Sequence, residues 1–252
     1  LTWGWRIPFL ISFVLVIISM YIQLRLEDTK AFKELEAAKS SQDNTKQEIK
    51  SSPILEALRR YPQRISLAAG AFLTIQVTFY ILVAFILAYG VETTDLSRND
   101  LLAAVLIGSA IMVPLQFYFS HYSDKNGRKG IFMAGAFLTA LWSFFLFPLI
   151  DTGNFYLVIL AVTGGLAFLG MMYGPQAAFF AELFSTEVRY SGASLGYQIG
   201  AILGGSFAPT IATLLWTSYD IFWVSVYIAL ASAASLFSVY FLTETYKTDL
   251  NK

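Results

Sequence analysis

Apolar residues in this chain run in long uncharged stretches broken by short polar intervals, with neither the alternation of a half-buried strand nor the single stripe of a surface helix. Seven stretches reach the roughly 20 residues a helix needs to cross a hydrocarbon core, at about 5–24, 65–89, 101–122, 130–150, 155–184, 192–216 and 221–243. Backbone groups in lipid must bond within their own segment, so each stretch predicts a membrane-spanning α-helix and the chain an all-α polytopic membrane protein with seven transmembrane helices. The fifth stretch is long enough to require tilt, a kink or an interfacial end. Pro114, Pro175 and Pro209 each remove a helix hydrogen bond inside a predicted span and favour a kink there.

The one long polar segment, 25–64, is rich in Lys and Glu and predicts a linker between a first helix at 1–24 and a six-helix bundle at 65–252. Within it Lys30–Lys39 predicts a short polar helix. Ser52 and Pro53, with Glu56 in the first turn, predict the start of an amphipathic helix. That helix sets Ile54, Leu55 and Leu58 beside Arg59, Arg60 and Arg64, a composition suited to an anionic membrane face. Fifteen of the 17 Lys and Arg residues fall on one side of the predicted topology, and only Arg6 and Arg98 on the other. By the positive-inside rule the first helix starts outside and the C-terminus is cytoplasmic.

Composition agrees with this topology and narrows the chemistry. The 252 residues are 56% hydrophobic and only 13% charged, with no net charge and no nucleic-acid signature. No Cys and a single His leave no material for disulfides, thiolate nucleophiles or a His-based metal site, so neither a cofactor nor an enzyme is expected. A heptahelical receptor or a structural membrane subunit remain as alternatives on span count alone. The last span, however, has no Lys for a retinal Schiff base, and an extracellular disulfide is impossible.

Ser123-Asp124-Lys125-Asn126-Gly127-Arg128-Lys129 forms a tight charged turn between the third and fourth spans. It resembles the cytoplasmic signature of the major facilitator superfamily, with Ser120 where that pattern opens on Gly. Gly174 to Tyr197 is similar to the junction of the tenth and eleventh helices in the metabolite:proton symporter family, and Trp3 to Phe9 to the start of that family's sixth helix. Glu187 departs from the basic or neutral residue usual there. The resemblance implies the C-terminal half of a transporter preceded by the last helix of its N-terminal half. It also implies two three-helix units of inverted topology, and proton symport of a small organic solute by alternating access in a bacterial inner membrane. The partners it implies are that solute, protons, the bilayer and the remaining N-terminal half.

Glu182 is a carboxylate at the end of an apolar span and requires a counter-charge, with Arg189, Arg128 and Lys129 as candidates. With the two charged turns brought together as the resemblance implies, Asp124, Arg128, Lys129, Glu182 and Arg189 are expected to form a conformational latch, with a static ion cluster as the other reading. Gly192, Gly196, Gly200 and Gly204, spaced by four, predict a groove for close helix packing. Polar side chains away from the span ends, Gln76, Tyr173, Gln176, Tyr197 and Gln198, are the substrate-binding candidates, with inter-helix hydrogen bonding as the other reading. No charged residue lies mid-span, so a titrating carboxylate for proton coupling is expected outside this chain.

Overall fold

A computed structural model of the chain describes residues 3–25 and 52–246. The polar helix expected at Lys30–Lys39 lies outside the described residues. Two compact units separate at Ile49 and Lys50.

In the first unit a 3₁₀ turn, Gly4–Arg6, leads into α1, Ile7–Arg25. None of the α1 side chains is buried, as expected of a helix whose neighbours are lipid or another helix bundle.

The second unit opens with the short helix α2, Pro53–Arg60, and continues through six long helices: α3, Pro62–Thr93; α4, Arg98–Asn126; α5, Arg128–Asp151; α6, Phe155–Glu182; α7, Arg189–Ser218; and α8, Ile221–Phe241. With α1 these make seven helices long and apolar enough to cross a membrane. Their starts are set by local chemistry. Ser97 and Asp100 form a reciprocal capping box on α4, Asn154 and Asp220 cap α6 and α8, and Gly127 breaks α4 from α5 at φ 105°, a conformation that favours glycine.

Helix α3 packs on α7 and α8, α6 packs on α4 and α5, and α5 meets α8. Exchanging α3 with α6, α4 with α7 and α5 with α8 reproduces this set of contacts, so α3–α5 and α6–α8 follow one packing plan. Because each unit has an odd number of spans, the second enters the membrane from the opposite side.

Polar groups inside the bundle bond across helices. The hydroxyls of Thr74 and Ser232 lie 2.7 Å apart, and Ser235 donates to the Gly70 carbonyl. Ser143 and Ser225 each donate to the other's carbonyl, at 3.1 and 2.7 Å. These bonds tie α8 to α3 and α5, where hydrophobic burial alone gives lipid-soluble helices little reason to associate.

Pro114 and Pro175 sit within unbroken helices. Pro209 follows a break in the α-helical pattern of α7, and its missing N–H removes the bond to Gly205 there. The irregularities are single π turns, at Ile81–Phe85 of α3 with no proline beside it and at Ile202–Ser206 of α7. The second contains Gly204 and Gly205, which lie against Leu73, Gln76 and Tyr80 of α3.

Along the four-residue glycine series, Gly196, Gly200 and Gly204 face α3, while Gly192 faces Phe184. A Cβ at Gly200 would stand 2.7 Å from the Ala69 carbonyl oxygen. Gly200→Leu is expected to push α7 off α3 and lower stability by about 1–3 kcal/mol. Gly130→Ala, whose Cβ would meet nothing within 4 Å, should be neutral. Thermal unfolding of the two variants in detergent checks this.

Candidate functional site

The α4–α5 turn, the α6–α7 loop and the segment after α8 meet at one end of the bundle, and Arg128 is their common element. As the first residue of α5 it faces the last residue of α6. Its Nε donates to Glu182 Oε2 at 2.7 Å and its Nη2 to Glu182 Oε1 at 2.8 Å, a two-pronged pair that matches the planar guanidinium to the carboxylate. The remaining terminal nitrogen, Nη1, donates to Asp124 Oδ1 at 2.8 Å, one helical turn back on α4. The Arg128 and Glu182 side chains are only 11% and 13% exposed, against 52% for Asp124. The Arg128–Glu182 pair is thus largely shielded from water and the Asp124 contact is peripheral.

Lys129 takes a different part from the one expected. Its ammonium donates to the carbonyls of Tyr240 and Leu242 at 2.6 and 2.9 Å and lies over the Tyr240 ring, serving the C-terminal end of α8. Arg189 also stands apart from the cluster. Its guanidinium reaches Phe184 O and Thr186 Oγ1, closing the α6–α7 loop on itself. The geometry therefore selects Arg128 as the partner of Glu182.

Two residues after α8 complete the cluster and were not among the expected site residues. Glu244 accepts from the backbone N–H of Arg128 and of Lys129, both at 3.0 Å, and so caps the start of α5 with a carboxylate. Thr245 donates to Glu182 Oε2 at 2.6 Å. Their sequence setting, a polar tail after a final span, gives no sign of either contact.

At the opposite end of the bundle, α3 and α5 are joined through Tyr89 and Asp151. Tyr89 of α3 donates to Asp151 Oδ1 at the end of α5, at 2.5 Å, and its ring is surrounded by Phe85, Phe147 and Trp216.

The substrate-binding candidates divide. Tyr197 of α7 lies beside Tyr173 of α6, and its ring lies 4.3 Å from that of Phe72 on α3, centroid to centroid. Gln76 packs against the Gly204–Gly205 turn of α7. Three helices thus bring Gln76, Tyr173 and Tyr197 into one region of the bundle. Gln176 is buried, while Gln198 is exposed, two residues from the α3-facing Gly196 and Gly200.

Comparison of the sequence with known proteins identifies its family. The model of the Major Facilitator Superfamily matches residues 1–195. The chain belongs to that superfamily. It is 32% identical over 97% of its length to the inner membrane metabolite transport protein YhjE of Escherichia coli, covering 55% of that protein. It is 32% identical over 91% of its length to a shikimate transporter of Escherichia coli, covering 51% of it. A protein of Staphylococcus aureus named for proline/betaine transport is 26% identical over 86% of the chain, which covers 45% of that relative. The chain spans about half the length of these relatives. They accord with the metabolite:proton symporter family that the Gly174–Tyr197 junction resembles.

Because the Arg128–Glu182 pair is shielded, removing one partner strands the other charge. Arg128→Gln is expected to destabilise the bundle by about 3 kcal/mol. A double-mutant cycle with Glu182→Gln, read by unfolding in detergent, should recover most of the loss when both charges are gone.

Proposed function

We propose that the chain is part of a secondary transporter that moves a small organic solute by alternating access, with the Arg128 cluster as the latch at its cytoplasmic end. The Arg128–Glu182 pair carries this reading. It joins the first turn of α5 to the last turn of α6, two helices belonging to different three-helix units, at a membrane boundary. A shielded ion pair there has two defined conditions, made or broken, and so suits a device that distinguishes two states. The concentration of Lys and Arg on that side supports its assignment as cytoplasmic, with α1 entering from outside, in a bacterial inner membrane.

The other half of the transporter is a second helix bundle outside this chain. The substrate region on this side is the Gln76, Tyr173 and Tyr197 group, with Gln176 and Gln198 on the same helices. These are neutral hydrogen-bonding and aromatic groups, suited to orienting a solute whose charge is met elsewhere. The relatives point to organic acids such as shikimate, or to proline and betaine, as the solute classes to be tried. Proton coupling rests on the family resemblance, with the titrating group placed in the other half.

The full-length protein carrying Glu182→Gln or Arg128→Gln should shift its inward-versus-outward accessibility and lose most of its uptake of the solute. Labelled shikimate, proline and betaine supply the uptake panel, and accessibility is read by labelling introduced cysteines. Wild-type exchange rates and accessibility in both variants would remove the latch assignment.

A further inference from the structure

Helix α2 is held to the bundle along one side only. Ala57 is fully buried, the Tyr61 ring meets Phe184 edge-on at 5.8 Å, and Arg60 Nη1 lies 3.3 Å from Glu187 Oε2. Arg64 donates to the Leu183 carbonyl. The contacts of Tyr61, Arg60 and Arg64 are all made to the α6–α7 loop, which begins just after Glu182. Glu187, the residue that departs from the family pattern, thereby has its partner on α2.

The neighbouring face of α2 is apolar and open. Ile54, Leu55 and Leu58, which fall on one stripe at helical spacing, are 52%, 43% and 42% exposed. Arg59, next to Leu55 on the helix surface, is exposed beside them. A single residue, Tyr61 at φ −130° and ψ 41°, separates α2 from the membrane span α3 and turns the chain between the two helices. Helix α2 is therefore at the membrane boundary, and a short helix with an apolar stripe edged by an arginine suits the headgroup layer.

We propose that α2 is a docking element for anionic lipid headgroups, with Ile54, Leu55 and Leu58 in the acyl boundary and Arg59 on the phosphates. Position and charge select the occupant. The exposed Arg59 flanks the apolar stripe at the membrane boundary, whereas Glu56 lies on the other side of the helix and is engaged by Arg60 Nη2 at 2.8 Å.

The chain contains no Cys, so a nitroxide placed at Leu55→Cys in the full-length protein, with any cysteines outside this chain replaced, reports on α2 alone. In phosphatidylcholine vesicles containing phosphatidylglycerol, collisions with oxygen should exceed those with a water-soluble nickel chelate. In phosphatidylcholine alone the excess should fall. Arg59→Gln should weaken the phosphatidylglycerol dependence about fivefold, from about 1 kcal/mol per basic residue at an anionic surface. Equal burial in both lipids would overturn the proposal, as would a label open to the nickel chelate in both. Shielding from both reagents in both lipids would do the same, since it would mean that a protein segment covers the stripe.

Discussion

A carboxylate at the end of a membrane helix has to be answered by the protein, because neither lipid nor a thin layer of interfacial water stabilises it as bulk water does. Arg128 answers Glu182 with two hydrogen bonds and extends a third to Asp124, so one guanidinium fixes how α4, α5 and α6 end relative to one another. The rest of that face follows from it. With Arg128 drawn toward α6, the first backbone N–H groups of α5 point at the segment after α8, where Glu244 accepts them, and Lys129 is left to bind the last carbonyls of α8. Arg128, Lys129 and Glu182 are each engaged by another helix's terminus or the segment beyond it, which couples the two three-helix units through charge as well as side-chain packing.

The two ends of the bundle use different physics. At one end the helices are joined by charges, with Arg128 bonded to Glu182 and Asp124. At the other, Tyr89 is wrapped by three aromatic rings and makes one short bond to Asp151, an arrangement whose strength is mostly shape and dispersion. Between them lie the close contacts of Gly196, Gly200 and Gly204 with α3 and the serine contacts of α8. These bring backbones together without large interlocking side chains.

Much of this was legible in the sequence. The spans were marked by uncharged length, because the bilayer imposes a minimum that few soluble helices meet, and the need of Glu182 for a partner followed from its position alone. The choice between Arg128 and Arg189 was not legible, since both lie within reach along the chain and only the docking of α5 on α6 decides it. Glu244 and Thr245 were hidden for a related reason: their contacts are more than sixty residues away, and a polar tail looks the same whether solvated or engaged. The π turns escaped because no residue type announces one: Ile81–Phe85 reads as an ordinary apolar run, and the glycines of Ile202–Ser206 read as helix packing, which they also serve against α3.

The engagement of Glu244 and Thr245 bears on the order in which the protein is made. A chain is synthesised from its N-terminus, so the start of α5 and the carboxylate of Glu182 enter the membrane boundary before residues 244 and 245 exist. Until α8 has been inserted, α5 lacks its cap and Glu182 lacks one of its donors. The charged end therefore reaches its final form only once the last span is in place. A chain halted short of that point would present an incompletely satisfied helix end at the membrane surface, a state that quality-control machinery is able to tell apart from the finished protein.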